Sequence, residues 1–126
     1  MILGIGVDLV DLARFEQHIL DNPRLGDRLF HEFEQELHMR QLAGSFAAKE
    51  ALVKALGGPD GLSWTEIWVE RDNAGKPHLR SEGASAAAIA SAGVGRLHLS
   101  ISHDGGMLTA YVIAEANSTP NGGPNA

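Results

Sequence analysis

Residues 46–58 are Phe46-Ala47-Ala48-Lys49-Glu50-Ala51-Leu52-Val53-Lys54-Ala55-Leu56-Gly57-Gly58, and this stretch decides the fold. Ala, Leu, Lys and Glu are strong helix formers and a glycine pair ends helices, so the pattern predicts a central helix over about residues 41–56. Its expected apolar stripe consists of Leu42, Phe46, Val53 and Leu56.

A second face of this helix carries Glu50 and Lys54, which are four residues and therefore about one turn apart. The other residues of that face are small: Ala43, Ala47 and Gly57. A carboxylate and an ammonium among small side chains leave room for a ligand that carries phosphate and metal. Because pairs at this spacing are more often solvated surface pairs worth about 0.2–0.5 kcal/mol, other segments must decide between the two interpretations.

Composition limits the class of protein. The 126 residues are 44% apolar and 21% charged, which suits one soluble domain. A net charge of -6 argues against a nucleic-acid partner, and the absence of cysteine excludes disulfides, thiolate metal sites and a Cys nucleophile. No apolar run approaches the roughly 20 residues of a membrane span, and the N-terminus does not resemble a signal peptide. We therefore expect a cytoplasmic protein with no membrane partner.

The remaining chain predicts short elements of both kinds. Residues 2–9 form a buried strand whose two glycines indicate close approach of another backbone segment, and Asp11 is the N-cap of a helix over 12–21. Ser63 and Glu66 resemble a capping box. The other predicted elements are one or two short helices within 24–40, strands over 67–71 and 78–80, a helix over 84–92, and strands over 96–103 and 107–115.

The order of these elements predicts an α+β fold. Strands cluster late in the chain, which favours an antiparallel sheet packed by the long central helix. We expect one small domain over residues 1–116 and a disordered tail over residues 117–126, where Pro, Asn and Gly dominate.

Two further segments carry polar residues at informative positions. Asp8 falls at the predicted end of the first strand, where sites are commonly built, although a turn or capping role is the alternative. In the strand over 96–103, alternation places His103 on the apolar face, and Asp104 follows it just before the Gly105-Gly106 turn.

Three segments then match one family pattern in order: Gly4-Ile5-Gly6-Val7-Asp8, residues 46–55, and Ser100-Ile101-Ser102-His103-Asp104. Together they resemble the holo-acyl-carrier-protein synthases, the small 4′-phosphopantetheinyl transferases, over about residues 1–115. The Lys-Glu-Ala-x-x-Lys-Ala segment carries most of the specificity. The resemblance implies the 4′-phosphopantetheinyl transferase fold and, for a chain of this length, a homotrimer with sites at the subunit interfaces.

The resemblance also implies a reaction. Coenzyme A binds together with Mg²⁺, for which Mn²⁺ is the alternative ion. A serine of an apo acyl carrier protein then attacks the β-phosphate, so that phosphopantetheine is transferred and adenosine 3′,5′-bisphosphate leaves. The reaction serves fatty acid biosynthesis. Asp8 and Glu50 would be the metal carboxylates and Lys54 the phosphate contact, with His103 reaching the nucleotide from the neighbouring subunit. The base remains open between Glu50, a metal-bound water and Lys54.

The chemistry of phosphoryl transfer also requires carboxylates and a cationic side chain, independently of the family resemblance. Phosphoryl transfer needs charge neutralisation and positioning more than covalent help from the protein. Mg²⁺ takes one or two carboxylates plus phosphate oxygens and waters, which Asp8 and Glu50 would satisfy.

Two departures from the family pattern affect ligand contacts. Ser45 stands where the family often has an arginine that would help hold the 3′-phosphate of coenzyme A, and Arg40, Lys76 or His103 would have to compensate. The candidate coenzyme A contacts are Lys54, His103, Ser45, Lys76 and Pro77. The segment over residues 30–42 also lacks the usual Thr-x-x-Glu-Leu spacing and is short.

A small group of arginines is the expected carrier contact. The resemblance assigns Arg14 to the acidic recognition helix of the carrier, with Arg24 and Arg28 as weaker candidates. Because these are the only arginines in the first 39 residues, the partner is expected to be less acidic than a free carrier protein. A carrier domain inside a large fatty acid synthase fits that expectation.

Three other functions compete with the transferase. A coenzyme A or nucleotide-binding module would not need the two metal carboxylates. A metal-dependent phosphoesterase would use the same charges but release the phosphate to water, and a structural oligomer would use the central helix only as an interface.

Overall fold

The computed structural model describes residues 1–118 of the chain. Its strands are β1 (Ile2–Asp11), β2 (Ile67–Arg71), β3 (Pro77–Ser81), β4 (Val94–Asp104) and β5 (Met107–Ala116). Its α-helices are α1 (Leu12–Asp21), α2 (Leu25–Leu29), α3 (Met39–Ala55) and α4 (Gly83–Ser91). Two one-turn 3₁₀ helices cover Glu32–Glu34 and Trp64–Glu66. The predicted order of strands and α-helices is confirmed, and α3 begins two residues earlier than expected.

The strands form two antiparallel sheets. One has the order β1-β5-β4, so the C-terminal hairpin brings β5 to the centre, and the other is the β2-β3 hairpin. Asp8 pairs with Ala110 of β5, and Leu108 of β5 pairs with His103 of β4. The α+β class with an antiparallel sheet is therefore confirmed, and α3 covers one face of the three-stranded sheet.

The packing of α3 on β1 depends on two glycines. A Cβ atom at Gly6 would overlap the carbonyl oxygen of Ala51, and one at Gly4 would overlap that of Ala55. The helix therefore touches the strand backbone to backbone, which explains the glycines that the sequence marked as a close approach.

The core face of α3 differs from the predicted apolar stripe. Its fully buried apolar residues are four alanines, Ala43, Ala47, Ala48 and Ala51, together with Leu52. Of the predicted stripe, Leu42, Phe46 and Leu56 pack against this core and are half-buried, and Val53 is half-buried as well. The prediction therefore found the margin of the buried face and missed its centre, where the helix and strand backbones are in contact. The expected ligand space over Ala43 and Ala47 is also wrong, since both are 0% exposed.

Of the two predicted helix caps, one is present in the structure and the other is not. Asp11 accepts the amide of Arg14 at 3.0 Å, which confirms it as the N-cap of α1. Ser63 makes no side-chain cap to its 3₁₀ turn. Glu66 instead accepts the amide of Ser85 at 2.9 Å and so caps the start of α4.

The C-terminal boundary lies slightly beyond the predicted one. Asn117, placed by the sequence in the disordered tail, donates its amide to the carbonyl of Gly93 at 3.1 Å. Residues 119–126 lie outside the described residues. Among residues 1–118, no helix is long and apolar enough to cross a bilayer.

Gly6→Ala should destabilise the protein by about 2–3 kcal/mol, because the new methyl group meets main-chain atoms that cannot move aside. The matched control is Gly26→Ala in α2, where no atom lies within 4 Å of the new methyl group and the change should be neutral or stabilising by up to about 1 kcal/mol. Urea unfolding at one protein concentration measures both. Equal midpoints would refute the packing constraint.

Candidate functional site

Asp8 lies inside β1, three residues before the strand ends, and not at the strand end as predicted. The side chains of alternate residues point to the same side of a strand, so Asp8 shares the α3 side with buried Gly6 and Val10. Its carbonyl accepts the hydroxyl of Thr109 at 2.9 Å, which ties the position to β5. Its side chain is 16% exposed.

Lys54 reaches Asp8 from the last turn of α3. Its Nζ lies 3.1 Å from Oδ1 of Asp8 and donates to the carbonyl of Val7 at 3.0 Å. The side chain of Lys54 is 54% exposed, so its ammonium remains accessible to a ligand. The glycine contacts one turn away place the two elements close enough for this pair to form.

Glu50 stands one helical turn before Lys54, on the same side of α3. Burial raises the pKa of its carboxyl, and the nearby Asp8 carboxylate raises it further, while Lys54 opposes both effects. Because the folded state raises this pKa, it disfavours the ionised form, so the contribution of Glu50 to stability falls as the pH rises through the raised pKa. A cation between Glu50 and Asp8 would reverse that cost.

Asp8, Glu50 and Arg14 line one cavity of about 430 Å³, which we call the carboxylate cavity. Its other lining residues are Leu9, Val10, Asp11, Phe15, His18, Leu25, Leu29 and Phe46. The structure thus brings together the predicted metal pair and the first predicted carrier contact. Arg24, just before α2, and Arg28, within it, are exposed and lie outside this lining. His18 is a lining residue that the sequence did not single out.

The donor set of the carboxylate cavity fits magnesium. Asp8 and Glu50 both line this cavity, where burial and then repulsion by the Asp8 carboxylate raise the pKa of Glu50. No cluster of three or more His, Cys, Asp or Glu side chains with metal-binding geometry occurs within residues 1–118. Mg²⁺ commonly uses one or two protein carboxylates and completes its shell with phosphate oxygens and waters, so Asp8 and Glu50 are the residues that would hold it.

A second cavity of about 280 Å³ contains His103 and two arginines, Arg40 and Arg71; we call it the arginine cavity. It is also lined by Leu37, Gln41, Gly44, Ser45, Val69, Ile101 and Leu108. At 100° per residue, Gln41 projects from the side of α3 opposite to Glu50, whereas Arg40 is only about 80° around the helix from Glu50. Arg40 and Glu50 are also separated by about 15 Å along the helix axis.

Of the other predicted coenzyme A contacts, Ser45 lines the arginine cavity, whereas Lys76 and Pro77 do not. Ser45 is 2% exposed and donates its hydroxyl to Glu34, so that hydroxyl is not free to meet a phosphate. Lys76 and Pro77 stand at the β2-β3 turn and outside the linings of both cavities. Arg71, which the sequence did not single out, reaches that turn by donating to the carbonyl of Gly75 at 2.9 Å.

A buried ion pair behind the site was also missed. Lys49 is 0% exposed and lies 2.6 Å from Oε1 of Glu34, which is 1% exposed. Lys49 also donates to the carbonyls of Leu29 and Trp64, at 2.8 and 3.0 Å. Burial lowers the pKa of Lys49, while the Glu34 carboxylate opposes that shift. The pair joins α3 to the segments on both sides of it in sequence.

Glu34 is held by its own turn. His31 is the N-cap of the 3₁₀ helix Glu32–Glu34, accepting the amide of Phe33 on its ring, and Glu34 accepts the amide of His31 at 3.1 Å. Glu34 also accepts the amide of Val69 in β2. In the sequence this turn is a capping box in which histidine takes the usual place of serine or threonine, and the usual pattern therefore did not predict it.

Comparisons with known proteins agree on one family. The model of the 4′-phosphopantetheinyl transferase superfamily matches residues 4–114. The holo-[acyl-carrier-protein] synthase of Kocuria rhizophila is 52% identical, over 92% of this chain and 94% of its own length. That of Clavibacter michiganensis is also 52% identical, over 94% and 99%.

Solved structures give the same result. The holo-[acyl-carrier-protein] synthase of Neisseria meningitidis has a TM-score of 0.84 at 31% identity, over 91% of this chain and 99% of that one. The synthase of Helicobacter pylori in complex with coenzyme A has a TM-score of 0.77 at 28% identity, over 88% and 99%.

Lys49→Met and Lys54→Met should distinguish the lysine that stabilises the fold from the lysine that belongs to the candidate site. Lys49→Met leaves the buried Glu34 carboxylate without a counter-charge and should cost about 3–5 kcal/mol. Lys54→Met removes a partly exposed pair and should cost less than about 1 kcal/mol. Urea unfolding measures both, and Glu34→Gln combined with Lys49→Met should recover part of the loss. A similar cost for the two single changes would contradict the assigned roles.

Proposed function

The chain belongs to the 4′-phosphopantetheinyl transferase superfamily and is a holo-acyl-carrier-protein synthase, and from this premise we propose how its residues carry out the transfer. The substrate pair is coenzyme A and the serine of an apo acyl carrier protein or carrier domain. The reaction needs Mg²⁺, or Mn²⁺ in its place, and serves fatty acid biosynthesis in the cytoplasm.

The observation that carries this proposal is the convergence of Asp8, Glu50 and Lys54. Two carboxylates line one cavity, and an accessible ammonium lies 3.1 Å from one of them. Asp8 and Glu50 would hold the metal ion, which when bound neutralises the charge of the diphosphate and of the transition state. Lys54 would exchange part of its contact with Asp8 for a phosphate oxygen, since its ammonium is exposed on one side.

The bonds that change are the same for any carrier. The serine hydroxyl gives up its proton to a base, for which Glu50 and Lys54 are this chain's candidates, and its oxygen forms a bond to the β-phosphorus of coenzyme A while the bond from that phosphorus to the bridging oxygen breaks. The bridging oxygen keeps the electron pair and leaves as part of adenosine 3′,5′-bisphosphate. The chain contributes positioning and charge, and the nucleophile comes from the partner, which agrees with the absence of cysteine and of a serine nucleophile motif.

The carrier would approach over α1. Arg14 lines the carboxylate cavity and is therefore close to where the carrier serine must enter. Arg24, just before α2, and Arg28, within it, are exposed and would extend this contact, because α2 follows α1 in the chain. Because the arginines are few and the chain carries a net charge of -6, a moderately acidic carrier, such as a carrier domain of a large fatty acid synthase, suits this surface.

The complete site would be shared between subunits of a homotrimer. His103 lines the arginine cavity, whose lining shares no residue with that of the carboxylate cavity, and the family resemblance assigns His103 to the site of the neighbouring subunit. The outer face of the sheet is apolar and exposed: Ile5 is 59%, Leu9 65% and Tyr111 50% exposed. Contiguous apolar patches of this kind mark protein–protein contacts, so a second copy of the chain is the proposed occupant.

Transfer is tested by the intact mass of an apo carrier protein after incubation with this protein, coenzyme A and Mg²⁺. We expect the carrier serine to gain one phosphopantetheine group. Asp8→Asn and Glu50→Gln should each lower the rate at least about 100-fold, because each removes a metal carboxylate. Chelation of divalent ions should abolish the gain, and added Mn²⁺ should restore it.

The other outcomes separate the competing functions. Coenzyme A bound without transfer to any carrier would favour a binding module. Coenzyme A cleaved with the carrier unmodified would favour a phosphoesterase. Glu50→Gln should remain folded, since it removes a carboxylate whose ionised form the folded state disfavours.

Sedimentation tests the shared site. Wild type should run as one species of three times the 13.4 kDa chain mass. Ile5→Lys places a charge on the apolar sheet face and should shift the protein towards monomer with loss of transfer. Leu20→Lys is the control for sedimentation alone, since Leu20 is 64% exposed on α1 and not on the sheet. A monomeric but active wild type would refute the shared site.

A further inference from the structure

We propose that the ammonium of Lys54 competes with the divalent cation for the Asp8 carboxylate, so that strong cation binding requires a donor phosphate that draws Lys54 away. The proposal deepens the function above and rests on the metal site and the phosphate contact proposed there. It gives Lys54 a second role, in which the lysine couples the binding of the cation to the binding of the donor.

Two contacts hold the ammonium of Lys54 at the Asp8 carboxylate. Its Nζ lies 3.1 Å from Oδ1 of Asp8 and 3.0 Å from the carbonyl oxygen of Val7. The close approach of Gly6 to Ala51 brings α3 onto β1, so the fold places this pair. A cation that binds Asp8 must therefore compete with an ammonium that the main chain also holds.

The Lys54–Asp8 pair lowers the negative charge that the carboxylate cavity offers to a cation. Of the three acidic residues in its lining, Asp8 is paired with Lys54, and Asp11 accepts the amide of Arg14. The third is Glu50, whose pKa is raised by burial and then by the Asp8 carboxylate, while Lys54 opposes both effects. Lys54 is thus a counter-charge for both proposed metal ligands, and its positive charge repels a divalent cation at either of them.

A phosphate group can reach Lys54 before the pair with Asp8 is broken. A lysine ammonium has three N–H donors, and two of them are used by Asp8 and Val7. The side chain of Lys54 is 54% exposed and that of Asp8 is 16% exposed, so an incoming anion meets the lysine first. A diphosphate carries more negative charge than one carboxylate, so it draws the ammonium away from Asp8.

This exchange makes the two ligands depend on each other. If the donor raises the affinity for the cation by some factor, the cation raises the affinity for the donor by the same factor. Part of that factor comes from direct attraction between the cation and the phosphate, and the part proposed here comes from Lys54. Replacing Lys54 should therefore strengthen the binding of the cation alone and reduce the coupling.

Titration with Mn²⁺, followed by the electron paramagnetic resonance signal of the free ion, tests the competition without any transfer. Wild type, Lys54→Met and Lys54→Arg are titrated with and without coenzyme A, and no carrier is present. Without coenzyme A, Lys54→Met should bind Mn²⁺ at least about 5-fold more tightly than wild type, because the competing charge is gone. Lys54→Arg keeps that charge and should bind Mn²⁺ no more tightly than wild type. Coenzyme A should raise the Mn²⁺ affinity of wild type by a larger factor than that of Lys54→Met.

Two further variants locate the effect at the Asp8 carboxylate. Asp8→Asn combined with Lys54→Met should lose the gain in Mn²⁺ affinity, since the carboxylate for which the two cations compete is absent. Arg14→Gln is the control for charge, because it removes a positive charge from the lining of the same cavity but not from the pair. Its Mn²⁺ affinity should stay within about twofold of wild type, since solvent and salt screen an exposed charge.

Equal Mn²⁺ affinities of wild type and Lys54→Met without coenzyme A would overturn the competition, and so would an equal gain in Arg14→Gln. If wild type nevertheless transfers phosphopantetheine, the proposed function stands and only the role of Lys54 as a competitor is lost. If wild type transfers nothing, the proposed function fails, while the Mn²⁺ titrations still decide whether Lys54 and the cation compete for Asp8.

Discussion

The contact between the backbones of α3 and β1 is the constraint on which the site depends. Gly4 and Gly6 leave no side chain between the strand and the carbonyls of Ala55 and Ala51, so the helix lies directly on the strand. At that separation the ammonium of Lys54 reaches both the carbonyl of Val7 and the carboxylate of Asp8. A wider separation, set by any larger residue at these positions, would move the charged groups of the helix away from Asp8.

The buried Glu34–Lys49 pair has a structural role, although Lys49 is only one residue away from Glu50 of the site. Lys49 and Glu50 are neighbours in sequence, yet a helix turns 100° per residue, so Lys49 points into the core and Glu50 into the carboxylate cavity. Replacing a buried pair with apolar groups is often neutral for stability, so its value here lies in specificity. Glu34 accepts hydrogen bonds from Ser45 of α3 and Val69 of β2. Its carboxylate therefore meets all its partners only when α3, β2 and the 3₁₀ turn are all in place.

Sequence patterns predicted the secondary structure and class well, and the packing less well. Local signals, such as the Asp11 cap and the Gly57-Gly58 stop, act within a few residues and were sufficient to order the elements. The centre of the buried face of α3 was not predicted, because the closest contact is set by the glycines of a strand that is distant in sequence. Arg71 and Glu34 were missed for the same reason, since their partners are brought close only by the fold.

The charges around α3 are unevenly distributed. The carboxylate cavity is lined by Asp8, Asp11 and Glu50 with Arg14, whereas the arginine cavity is lined by Arg40 and Arg71 and by no acidic residue. Burial and then the Asp8 carboxylate raise the pKa of Glu50, so the folded state disfavours a second charge beside Asp8. The proposed metal ion would remove that cost and would allow the reacting diphosphate to bind to an acidic protein. The exposed apolar face of the sheet is then the proposed contact through which copies of the chain complete the site.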